Sequence, residues 1–259
     1  MNAEPPGTGP LRRLAPEVKL VALVLFVAVV VATPAAAWPA YLIDAVLVAG
    51  LATWARLSPR WFVPRMSVEL PFVIGALLLP FIATGPRVWV GPVELATAGI
   101  TGAALLLTRA TLGVAAAIVL AGTTPAAEVV DGLERLRLPS GLVQILSFMV
   151  RFASIVTSDL RAMDVARASR GDGRTRAARM AATAASAGAL FVRCYERGER
   201  VHLAMQARGY TGRLPQARAL GSVSGGTAGT APAAWAGALA LPVFAASATA
   251  LSLAFVGSL

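Results

Sequence analysis

Five apolar runs constrain this chain more than anything else in it, at residues 18–37, 40–57, 70–84, 95–121 and 233–256. A helix that crosses the hydrocarbon core of a bilayer needs about 20 mostly apolar residues. The third run reaches that length only if it starts near Met66. An aqueous domain has nowhere to bury five such rods. Composition points the same way: 57% of the 259 residues are hydrophobic and 14% are charged, against about 45–50% and 25% in soluble chains. The expected fold is therefore all-α, a polytopic membrane protein with about five transmembrane helices and a separate polar helical region.

Several activities are excluded by counting. Cys194 is the single cysteine and His202 the single histidine, which removes disulfides, paired-cysteine metal sites and the two-histidine zinc helix. Lys19 is the single lysine and follows no glycine-rich loop, so the chain has no phosphate-binding loop of the Walker type. Asp44, Glu69 and Glu94 are the acids in or near the spans, and they are dispersed. No catalytic residue, metal ligand or cofactor is expected.

Charge supplies orientation, because Lys and Arg beside spans are retained on the cytoplasmic side. Arg12 and Arg13 precede the first run and Lys19 stands at its start, while Arg56 stands at the end of the second with Arg60 and Arg65 after it. Fifteen arginines against eight acids then fall between residues 125 and 218. Alternation places an N-terminal tail (1–17) inside, four spans in residues 18–122, a cytoplasmic region at 123–213, a flexible linker at 214–232 and a last span at 233–259 that ends outside. Residues 85–92, with Trp89 among prolines and glycines, read as an interfacial loop. A secretory-signal reading of the start, ending at Ala35-Ala36-Ala37, fits less well, because the second run follows within three residues. Asp44 and Arg109 fall inside spans toward the same side, and an intramembrane charge is costly enough to suggest that they pair.

The cytoplasmic region reads as three helices, at 126–138, 142–169 and 177–208. The first is amphipathic, with Val129, Val130, Leu133 and Leu136 on one face. The second and third end alike, in Ala166-Arg167-Ala168-Ser169-Arg170-Gly171 and Ala204-Met205-Gln206-Ala207-Arg208-Gly209, with the arginines before glycine 38 positions apart. Glycine suits the left-handed residue that closes a helix, and an arginine in the last turn complements the helix dipole. Either ending alone is ordinary capping. As a matched pair they put two guanidinium tips on two rods.

At these endings the chain resembles the transmembrane T component of energy-coupling factor (ECF) transporters, whose members carry two Ala-Arg-Gly-type motifs on cytoplasmic coupling helices. Here the motifs fall on Ser169-Arg170-Gly171 and Ala207-Arg208-Gly209, with Ser replacing Ala in the first. Pro16-Glu17-Val18-Lys19-Leu20 and Leu57-Ser58-Pro59-Arg60 are also similar to the family. Phe191-Val192-Arg193-Cys194-Tyr195-Glu196-Arg197-Gly198-Glu199-Arg200-Val201 looks like its cobalt-transport (CbiQ-like) branch. The resemblance implies a non-catalytic scaffold in a cell membrane, with two ABC-type ATPase subunits and a substrate-binding S subunit as partners and no nucleic acid. The cargo would be a micronutrient, with cobalt ion favoured over a vitamin. Residues Ala168, Ser169, Arg170 and Gly171, with Ala207, Arg208 and Gly209, are then the expected ATPase-coupling sites. The Val129/Val130/Leu133/Leu136 face is the expected contact with the S subunit. The competing reading is a membrane-anchored binder of anionic lipid or nucleic acid through the Arg-rich region.

Overall fold

A computed structural model of the chain describes residues 9–90, 93–169, 171, 176–210, 240, 242–247 and 250. Two compact units are present: residues 3–132 with 225–259, and residues 133–224 with 1–2.

In the first unit, a short 3-10 turn at Pro10–Arg13 leads into α1, Pro16–Ala32. Proline at the first helical positions is preorganised for entry. The helix is shorter than the 18–37 expected, because Pro34 pushes Thr33 out of the helical region, to ψ 123. After a tight link, α2 runs Trp38–Trp54. The third run is longer than it reads in sequence. Helix α3 (Pro59–Phe62) passes through a 3-10 segment (Val63–Glu69) into α4 (Leu70–Ile82), giving 24 continuous helical residues.

The segment expected to be an irregular interfacial loop is instead part of an antiparallel hairpin. Strands β1 (Arg87–Val90) and β2 (Val93–Ala96) pair in the register Arg87↔Ala96 to Val90↔Val93. The valines and the tryptophan in this stretch of sequence are residue types that favour extended backbone. Helix α5, Thr97–Thr123, then runs through the unit. Its Leu112 and Ala115 join Phe26 and Val30 of α1, Tyr41 and Val48 of α2, and Ala245 in one buried cluster. The expected last span lies mostly outside the described residues, although 242–247 are helical. Helix α6, Ala126–Arg135, follows α5 directly.

The second unit is built on α7, Ser140–Ser169, and α8, Arg176–Ala207. Three cross-links define them as an antiparallel hairpin. Arg167 Nη1 donates to Thr183 at 2.7 Å, Arg197 Nη1 to Asp159 at 3.3 Å, and Tyr210 Oη to Gln144 Oε1 at 2.6 Å.

Among the described residues, Pro59–Ile82, Thr97–Thr123 and Ser140–Ser169 are long and apolar enough to cross a membrane, and Trp38–Trp54 is a shorter apolar helix. Helix α7 qualifies through its first half. Residues 142–156 are mostly apolar around Arg151, and Asp159, Arg161, Asp164 and Arg167 follow them.

Candidate functional site

Helix α8 closes with a paired bond pattern. The Tyr210 N–H donates to Met205 O at 3.0 Å and the Gly209 N–H to Gln206 O at 2.9 Å, with Gly209 at φ +83. This closure needs a left-handed residue at position 209, where a Cβ crowds its own carbonyl. Arg208 is thereby the last residue before the reversal, and its side chain and that of Ala207 are exposed. The end of α7 repeats the arrangement in the parts described. Gly171 has φ +73 and donates to Ala168 O at 3.3 Å, while Ala168 and Ser169 are exposed. Arg170 lies outside the described residues.

Two further helix ends use the same closure with arginine itself in the left-handed position: Arg56 (φ 54) after α2 and Arg137 (φ 61) after α6. Each bonds back as glycine does, Arg56 to Thr53 O at 2.9 Å and Arg137 to Glu134 O at 3.0 Å. The sequence signal that could have found them is the proline just beyond each end, Pro59 and Pro139. The chain therefore caps helices without glycine where needed. What sets the ends of α7 and α8 apart is arginine before the glycine.

Antiparallel pairing puts these two ends at opposite extremes of the hairpin. The first lies beyond the Arg167–Thr183 contact and the second beside Gln144, in the opening turns of α7. With α7 ending at Ser169 and the second end beside Gln144, the helical rise separates them by about 38 Å. The polar contacts that hold the rods, through Gln144, Asp159, Thr183, Arg197 and Tyr210, were not singled out as contacts by sequence reasoning. Their partners lie up to 66 positions apart.

The amphipathic face of α6 is partly covered by its own chain. Val130 is only 6% exposed, buried within its own chain. Two positions on, at another side of the helix, a Cβ on Gly132 would come within 3.0 Å of the Glu17 nitrogen and 3.1 Å of Leu20 Cδ1. Val130 faces inward, while Val129, Leu133 and Leu136 are half-buried. The exposed apolar residues in this region of the chain lie on α7 instead, where Leu142, Ile145 and Met149 follow helical spacing.

The expected Asp44–Arg109 pair is also not made. Arg109 Nη2 donates to Thr33 O at 2.6 Å and its Nε to Tyr41 Oη at 3.2 Å, while Tyr41 Oη donates to the same carbonyl at 2.7 Å. Because α1 stops before Pro34, its last carbonyls lack helical partners and form the negative end of the helix dipole. That is where the guanidinium goes. Asp44 is 0% exposed, and neither carboxylate oxygen has a hydrogen-bond partner.

Lys19 is likewise more than a flanking charge. It is buried and donates to Thr124 Oγ1 at 3.2 Å, tying the start of α1 to the residue just beyond α5. Arg200 and Glu196 sit 3.9 Å apart one turn along α8, the intrahelical pairing that their spacing suggests. Among the described residues no group of three His, Cys, Asp or Glu side chains could hold a metal ion.

A family model described as "Cobalt transport protein", CbiQ, matches residues 7–218. The cobalt transport protein CbiQ of Rhodobacter capsulatus is 32% identical over 169 residues, 63% of this chain and 69% of that one. The energy-coupling factor transporter transmembrane protein EcfT of Listeria innocua is 28% identical over 221 residues, 80% of this chain and 83% of that one. The family model's span takes in helices α1 to α5 and the two Arg-Gly helix ends. The chain is a membrane protein of the CbiQ cobalt transport family, whose relatives include ECF transmembrane components.

Proposed function

We propose that this chain is the T subunit of an ECF-type importer, with an ATPase subunit docking at each Arg-Gly end and a membrane S subunit binding the cargo. Cobalt ion is the cargo that the name of the Rhodobacter relative favours. The observation that carries the proposal is the pair of matched helix ends at opposite extremes of one hairpin. Two motors of similar shape can then pull on a single lever from two sides. Arginine suits each tip because its planar fork grips a carboxylate through two hydrogen bonds. ATP hydrolysis belongs to the partners in this reading, and the chain itself transmits force.

The N-terminus and both tips are cytoplasmic in this reading, on the charge pattern. In this reading helix α7 stays on that side although its length would allow a crossing, because Asp159, Arg161, Asp164 and Arg167 follow its apolar stretch. Its Leu142/Ile145/Met149 face is the surface that meets the S subunit, in place of the α6 face that Val130 turns inward.

Replacing both tips, Arg170→Ala with Arg208→Ala, tests the reading. Expected is loss of ATPase copurification, since truncating one partner of a buried charge pair costs about 2–5 kcal/mol. Full uptake by the double variant, or copurified nucleic acid in place of ATPase, would reject it.

A further inference from the structure

Tyr210 makes two bonds that pull in different directions. Its backbone N–H closes the α8 cap on Met205, and its Oη–H donates to Gln144 Oε1 at 2.6 Å, across 66 positions of sequence. The same residue is thus fastened to α8 through its main chain and to the opening turns of α7 through its side chain. Between it and the rod stands Gly209 at φ +83, one of the few backbone positions here able to act as a swivel. The next polar cross-link up the hairpin, Arg197 to Asp159 at 3.3 Å, is 15 positions further along α7. At the helical rise that is about 20 Å away, too far to steer this end. Gln144 sits on α7 between Leu142 and Ile145, both of which are exposed.

We propose that Tyr210 is a positioning residue for Arg208. Held to α8 across Gly209 by its cap bond to Met205, it ties the tip through its hydroxyl to the turn of α7 that carries the exposed apolar face, so that displacement of the tip moves that face. The inference rests on the docking reading above. It adds that docking and transmission are separable, with Arg208 serving the first and the Tyr210–Gln144 bond the second.

The experiment uses the full chain assembled with its ATPase and S subunits in liposomes, with cobalt(II) ion as the probe. It compares Tyr210→Phe, Gln144→Leu, their combination, and Gln144→Glu, whose carboxylate still accepts the phenolic proton. Expected is ATPase copurification and ATP hydrolysis as in the unchanged chain. Cobalt taken up per ATP should fall about fivefold in Tyr210→Phe and Gln144→Leu, the factor that one ordinary neutral hydrogen bond supports. The combination should be no worse than either alone, and Gln144→Glu should retain uptake. Unchanged uptake per ATP in Tyr210→Phe would overturn the inference and leave docking intact. Loss of copurified ATPase in Tyr210→Phe to the extent seen for Arg208→Ala would also overturn it, by making Tyr210 part of the docking surface. Failure of the docking reading is recorded separately, by the Arg170→Ala/Arg208→Ala pair.

Discussion

Gly209 can be replaced only by a residue that accepts a left-handed backbone. Nothing lies within 4 Å of a Cβ placed there, so the cost of substitution is conformational rather than steric crowding. Gly209→Val should lose about 1–2 kcal/mol, visible as a lower thermal midpoint in detergent. Gly209→Asn should lose much less, because asparagine visits this region. Equal losses in the two would mean that the closure is not what position 209 supplies. Arg109 and Asp44 give a second pair of expectations. Arg109→Met removes a charged donor from the Thr33 carbonyl and from Tyr41, at about 1.5–3 kcal/mol. Asp44→Asn should hold or raise the midpoint, since neither carboxylate oxygen is bonded. A drop in Asp44→Asn matching that of Arg109→Met would restore the charge pair. The cost of Arg109 was legible in the sequence, but its partner was not. A backbone carbonyl left free by Pro34, 76 residues away, carries no residue-type signature.

At the level of elements, the long periodic pieces were readable and their ends were not. Helices α2, α5, α7 and α8 fall within about three residues of the apolar and amphipathic runs that suggested them. Helix α1 stops early because Pro34 acts on the residue before it. The third run extends back to Pro59 because Pro64 falls at the first positions of a 3-10 stretch, where its missing N–H is not needed. The β1–β2 hairpin escaped because four-residue strands between apolar helices offer too little alternation to read. The face of α6 was recognised correctly as amphipathic, but an apolar stripe does not say whether its own chain or a partner covers it. Gly132 is the element-scale test. With the Glu17 nitrogen 3.0 Å from a Cβ at this position, Gly132→Leu should displace α6 from the start of α1 and cost about 1–3 kcal/mol. Pro10–Leu20 should then become more accessible to proteolysis. Protection equal to that of the unchanged chain would show that α6 does not depend on this approach.

The whole molecule divides into a unit of apolar helices and a unit built on a hairpin with an Arg-Gly end at each extreme. The apolar scaffold was legible because bilayer length and charge asymmetry act on composition, which a single sequence displays in full; the family was legible only through its resemblance at the two Arg-Gly endings. The α7–α8 hairpin was legible only as two similar endings; that they lie at opposite extremes follows from cross-hairpin bonds such as Tyr210–Gln144. The most direct test is a structure of the chain assembled with its ATPase and S subunits, read at Arg170 and Arg208. The account predicts each guanidinium within about 3 Å of a carboxylate, on two different ATPase subunits. Both tips on one subunit, or either in open solvent or on the outer side of the membrane, would contradict it.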